Sequence, residues 1–141
     1  MKRMASVVWR GDLKSGKGSI STESGVLKET QYSFSTRFEN GVGTNPEELI
    51  AAAHAGCFAM AFSLELGKAG IKPDTISTTA TVTLEMLPGG PTVTESHLNM
   101  TAKIPGIDQE KFTTIANAAK AGCPISRLLN AKISLNAKLE A

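Results

Sequence analysis

From Leu49 through Ile50-Ala51-Ala52-Ala53-His54-Ala55-Gly56-Cys57-Phe58-Ala59-Met60-Ala61 to Phe62, the chain is apolar nearly all the way round a helix. A helix with no polar face is buried on every side. One layer of sheet in a chain of 141 residues would struggle to wrap it. Its alanines and glycine also let a second backbone come close, so the stretch predicts a dimer that buries paired helices. The helix start is clearly punctuated by Thr44-Asn45-Pro46-Glu47-Glu48. Asn45 suits the N-cap, Pro46 the first helical position, and Glu48 the third, where a capping-box carboxylate sits. The helix is expected to end near Gly67 or Gly70. Interrupted by His54 and Ser63 and flanked by Glu47, Glu48 and Glu65, the apolar run from Leu49 to Leu64 is too short for a membrane span.

The segments around this helix read as strands and turns. Ser6 to Arg10 and Ser19 to Ser24 are candidate strands. Tyr32 to Phe38 alternates with a period of two, placing Tyr32, Phe34 and Phe38 on one face and Arg37 on the other. Two long alternating segments follow, Thr75 to Leu87 and Thr92 to Ile104, joined by Pro88-Gly89-Gly90-Pro91, a strong hairpin signal. Asp108 caps a second helix over about Gln109 to Ala121, which Gly122-Cys123-Pro124 breaks. A short helical turn over Ile125 to Asn130 and a closing strand marked by Ile133, Leu135, Ala137 and Leu139 complete one domain over residues 1–141. No regular βαβ alternation is present, so the expected class is α+β with antiparallel pairing.

Composition narrows the functional classes. Lys plus Arg number 15 against 13 Asp plus Glu, too even for a nucleic-acid or anionic-membrane partner. Aromatic residues are 5% of the chain, which weakens base stacking further. Two cysteines cannot make a disulfide framework. The basic N-terminus lacks an apolar core before Arg10 and Asp12, so it is not read as a secretory signal. The expected location is the cytoplasm, where thiols stay reduced and a cysteine pair points to reactivity rather than a structural cross-link.

Cys57 in an apolar helix reads by itself as a small buried residue, and Cys123 at a helix break as a turn residue. As a pair they suit a nucleophile and a resolving partner. At pH 7 a thiol with a pKa of ~8.5 is only about 3% thiolate, so full ionisation gains about 30-fold, or roughly 2 kcal/mol. A peroxide-reducing cysteine needs more, from orientation and from a cation where the leaving alkoxide develops charge. Arg37 is the best-placed arginine for that task. Glu48 lies about 180° around the helix from Cys57 and is explained by capping, which leaves Glu47 as the spare carboxylate. It is about 15 Å along the axis from Cys57, so it acts by anchoring an arginine or from the other subunit. His54, on the same helical side as Cys57, reads most simply as a satisfied interface histidine, with a Cys-His hydrolase or a metal site as the alternatives. His97 reads as a surface or edge residue. No phosphate loop, zinc spacing or dinucleotide fingerprint is present, so neither cofactor nor metal is expected.

Several segments together resemble the OsmC branch of the OsmC/Ohr family of thiol-dependent peroxidases. They are Lys17-Gly18 with Ser21 to Leu27, Thr36-Arg37-Phe38-Glu39, Gly43 to Ile50, Ala53-His54-Ala55-Gly56-Cys57-Phe58 and Lys120 to Ser126. Gly56 stands where some members have alanine. The resemblance implies an intertwined homodimer, with antiparallel sheets wrapped around two long central helices and two active sites at the interface. It implies Cys57 as peroxidatic cysteine, Cys123 as resolving cysteine, Arg37 as the guanidinium that holds the thiolate, and Glu47 as the first glutamate of the family's Asn-Pro-Glu motif. The Ohr relatives take their arginine from an earlier loop, so the Arg37 role belongs to the OsmC branch. The implied activity is reduction of organic hydroperoxides, and more weakly of hydrogen peroxide, in stress defence. An external dithiol, such as a lipoylated protein, restores the thiols. A thiol-based sensor or binding protein without multiple turnover is the alternative.

Overall fold

Gly18 decides the packing of the opening sheet, because a Cβ there would come within 2.3 Å of the Tyr32 ring. That sheet joins β1 (Ala5–Arg10), β2 (Lys17–Thr22) and β3 (Thr30–Tyr32), all antiparallel in the order β1-β2-β3. Over Gly18 the Trp9 and Tyr32 rings sit 5.5 Å apart between centroids. The computed structural model describes residues 1–140, which fall into two compact units, Met1–Leu49 and Ile50 onward.

The alternating segment Tyr32 to Phe38 is not a strand. The strand stops at Tyr32, and Phe34–Phe38 forms a short helix, α1. Ser33 overrides the alternation. Its side chain accepts from the Thr36 N–H, while the Thr36 hydroxyl accepts from the Ser33 N–H at 2.8 Å, a reciprocal cap that closes a helical turn. The face assignment changes with it. Arg37 does not point away from the aromatics but lies over Phe38, its Cζ 5.3 Å from the ring centroid.

The long helix α2 runs over Pro46–Lys68, starting where its punctuation predicts. Asn45 Oδ1 accepts from the Glu48 N–H at 2.8 Å, and Asn45 Nδ2 donates to the Thr36 carbonyl at 2.9 Å, tying α1 to the helix start. The Glu48 carboxylate accepts from the Thr44 hydroxyl at 2.7 Å rather than reaching back to the N-cap backbone. At 23 residues, the helix is long and apolar enough to cross a membrane, contrary to the shorter run read from the sequence. One stripe of it, His54, Phe58, Phe62 and Leu66, is nevertheless a core face.

From Ile50 onward, β4 (Thr75–Leu87) and β5 (Gly90–Lys103) form the expected hairpin, with Gly90 at φ +120°. Helix α3 (Gln109–Gly122) begins at Asp108, which accepts from the Lys111 N–H at 2.7 Å. A five-residue helix α4 (Pro124–Leu128) and β6 (Lys132–Leu139) follow. The strand order is β4-β5-β6, and β6 pairs with β5 in parallel. The sheet is thus mixed, not wholly antiparallel. The path from β5 through α3 and α4 is a crossover long enough to return the chain in its original direction. β5 is therefore central, and His97 sits within it, half-buried and 2.6 Å from the Ser134 hydroxyl, not at an edge. Phe58, Phe62 and Leu66 of α2 pack with Leu98, Met100 and Ala102 of β5 and with Phe112, Ala116 and Ala119 of α3. Each large side chain buried there contributes about 1.5–3 kcal/mol.

Candidate active site

Two of the four expected site residues meet in the unit that starts at Ile50. Cys57 is half-buried on α2, and Cys123 is wholly buried between α3 and α4. Both are free thiols, and Cys123 lies near enough to Cys57 to raise its pKa. Cys123 owes its place to the helix break. Its N–H closes α3 on the Ala119 carbonyl at 2.9 Å, and its carbonyl opens α4 by accepting from Arg127 at 3.0 Å. Pro124 at the first position of α4 has no N–H, and the next one, of Ile125, lies near enough to Cys57 to favour its thiolate.

Burial pushes the Cys57 thiol above its ordinary value, and the neighbouring Cys123 adds to the rise. The Ile125 N–H opposes it but does not cancel it. At rest the sulfur keeps its proton, which makes it a weak nucleophile until a cation stabilises its charge. A groove of about 490 Å³ opens beside it, lined by Met60, Ala61 and Leu64 of α2 and by Ala118, Gly122 and Pro124 across from them. Glu65 is the one charged residue on its wall.

Arg37 and Glu47 meet in the first unit. Arg37 Nη2 donates to Glu47 Oε1 at 2.8 Å, and its Nε to Oε1 and Oε2 at 3.1 and 3.3 Å. The fork is thus held on two of its nitrogens, a geometry that fixes an arginine far better than one contact does. Glu47 is the less exposed partner, with 12% of its side chain accessible against 38% for Arg37. The carboxylate therefore anchors the arginine within one chain.

Chain position alone missed three groups beside the thiols: the Ile125 N–H, Ser96 and Ser126. His54 links the two serines, its Nδ1 2.6 Å from Ser96 Oγ and its Nε2 2.8 Å from Ser126 Oγ. It is the satisfied histidine expected from sequence, and burial holds its pKa below the usual value. The sequence signal for Ser126 was its place just after Cys123-Pro124-Ile125. Ser96 gave none beyond the strand alternation. Among the described residues no cluster of three histidine, cysteine or acidic side chains could hold a metal.

Residues 38–138 match the profile of OsmC-like proteins. The chain belongs to the OsmC-like family. It is 53% identical over 133 residues to the peroxiredoxin OsmC of Escherichia coli K12, covering 94% of this chain and 93% of the relative. It is 30% identical over 100 residues to the organic hydroperoxide resistance protein of Xanthomonas axonopodis pv. citri, covering 70% of this chain and 68% of the relative. The fold is that of OsmC and Ohr proteins. The crystal structure of OhrB of Bacillus subtilis, a protein of organic hydroperoxide resistance, superimposes with a TM-score of 0.68 at 26% identity, covering 97% of this chain and 98% of that one. An OsmC-like protein of Mycoplasma pneumoniae gives 0.77 at 15% identity, covering 100% and 99%, a likeness of fold alone.

Proposed function

We propose that this OsmC-like protein is a thiol peroxidase that reduces organic hydroperoxides, and hydrogen peroxide more weakly, in stress defence. The observation that carries the reading is the neighbouring pair of free thiols, Cys57 and Cys123, beside an apolar groove. The names of its peroxiredoxin and hydroperoxide-resistance relatives support the same chemistry. The Cys57 thiolate attacks the terminal peroxide oxygen, the O–O bond breaks, and the departing alkoxide takes a proton to leave as an alcohol. Cys57 is then a sulfenic acid. Cys123 condenses with it, expelling water and closing a disulfide. An external dithiol, for which the family resemblance suggests a lipoylated protein, returns two electrons and restores both thiols.

The raised Cys57 pKa defines what else the reaction requires. A cation has to stabilise the thiolate and the developing alkoxide, and Arg37 is assigned that role, with Glu47 holding its guanidinium. Among the described residues Arg37 Nη1 makes no hydrogen bond, so that edge has donors to offer. We assign the working form to a homodimer in the cytoplasm. The α2 stripe Ala52, Gly56, Met60 and Leu64 supports the dimer, since it is exposed and lies opposite the buried stripe. The experiment is steady-state turnover of cumene hydroperoxide with dithiothreitol. Cys57→Ser is expected to abolish it, and Cys123→Ser to leave the first attack but trap a sulfenic acid visible by mass spectrometry. Multiple turnover by Cys57→Ser overturns the reading, and a single oxidation without turnover by the parent assigns the pair to sensing instead.

A further inference from the structure

His54 on α2 is hydrogen-bonded to α4, the short helix that begins just after Cys123. His54 lies one turn before Cys57 and is wholly buried. Through Ser96 it is held to β5, and through Ser126 it holds α4. Ser126 directly follows Ile125, whose N–H favours the Cys57 thiolate, and stands three positions beyond Cys123. Among the described residues, the Ser126 hydroxyl makes the one side-chain hydrogen bond from α4 to another element. Burial favours the neutral ring, in which one nitrogen donates and the other accepts, which orders the hydroxyls on either side.

We propose that His54 is a positioning residue of the redox cycle. By clamping Ser126 it keeps α4 beside α2, which holds the Ile125 N–H near the Cys57 sulfur and keeps Cys123 within reach to close the disulfide. Its place in turnover rests on the peroxidase reading, but disulfide closure itself can be measured without any peroxide. An aromatic disulfide such as dithiobis(nitrobenzoic acid) serves as oxidant. The Cys57 thiolate breaks its S–S bond, forming a mixed disulfide and releasing one aromatic thiolate. Cys123 then loses its proton to solvent and displaces the second aromatic thiolate, leaving the Cys57–Cys123 disulfide and a reagent reduced by two electrons.

The test compares the parent with Ser126→Ala and Ser126→Thr in that two-phase release. Removing the hydroxyl is expected to slow the second phase about tenfold and to raise the pKa governing the first. Threonine, which keeps the hydroxyl, is expected to restore both. With excess cumene hydroperoxide, the alanine variant is expected to accumulate Cys57 sulfinic acid, because slower closure leaves the sulfenic acid open to a second oxidation. His54→Asn is expected to share the defect. Should that variant not fold, Ser126→Ala carries the test. Parent-like closure and an unchanged first-phase pKa in Ser126→Ala overturn the proposal, as does a threonine variant no better than alanine. If the parent shows no peroxide turnover but Ser126→Ala still slows closure, the peroxidase reading fails and the positioning role stands.

Discussion

Arg37 is fastened by two of its nitrogens to Glu47, while Cys57 is buried enough to keep its proton, and these facts make separable predictions. Arg37→Met removes the cation proposed to stabilise the thiolate, so kcat/KM for an organic hydroperoxide is expected to fall about 100-fold, with its pH profile displaced upward. Glu47→Gln leaves the cation but loosens its anchor, so the loss is expected to be about tenfold with a smaller displacement. Steady-state rates across pH 6–10 check both. His54 makes an independent prediction about stability. Its folded pKa lies below the ordinary 6.5, so its contribution is present above about pH 6.5 and lost as pH falls through the folded value. The urea midpoint is expected to fall more steeply with acidification in the parent than in His54→Gln. One group gives at most about 1.4 kcal/mol per pH unit.

Helix starts carry much of the local order in the first unit. Asn45 both caps α2 at the Glu48 N–H and holds the Thr36 carbonyl of α1. Asn45→Ala is expected to cost about 1–2 kcal/mol in denaturant unfolding, and Asn45→Ser, which keeps the cap but not the second bond, about half of that. The cap at Asn45, the start at Pro46, the hairpin and the Asp108 cap were all readable from the sequence, because each signal lies within a few residues of its effect. The segment after Tyr32 was misread because Tyr32, Phe34 and Phe38 imitate a strand. The decisive Ser33–Thr36 reciprocal bond looks unremarkable in a Ser-Thr-rich run. The parallel return of β6 was hidden for another reason: no local pattern records which way a crossover brings the chain back.

Side chains contributed by distant segments set the limit of what could be read for the assembled protein. The cysteines, Arg37 and Glu47 stood out by type and by motif. Ser96 and Ser126 did not, since only the fold brings a β5 hydroxyl and an α4 hydroxyl onto one histidine ring. The apolar circumference of α2, read from the sequence as buried on every side, is covered by this chain on one stripe only. Its stripe through His54, Phe58, Phe62 and Leu66 is covered, while Met60 and Leu64 remain 77% and 61% exposed. For the proposed homodimer, light scattering is expected to give about twice the chain mass of 14.8 kDa. Ala52→Arg, which sets a charge on the open stripe, is expected to shift the protein toward the single-chain mass. A parent that scatters as one chain refutes the assignment.

Burying Cys57 has a further consequence for the protein's lifetime. Sulfur that holds its proton at rest reacts slowly with stray alkylating agents and dissolved oxidants, which attack the anion. In the proposed cycle, the same desolvation that delays the nucleophile gives it shelf life, so an idle molecule stays competent until a peroxide is seated where charge can be met.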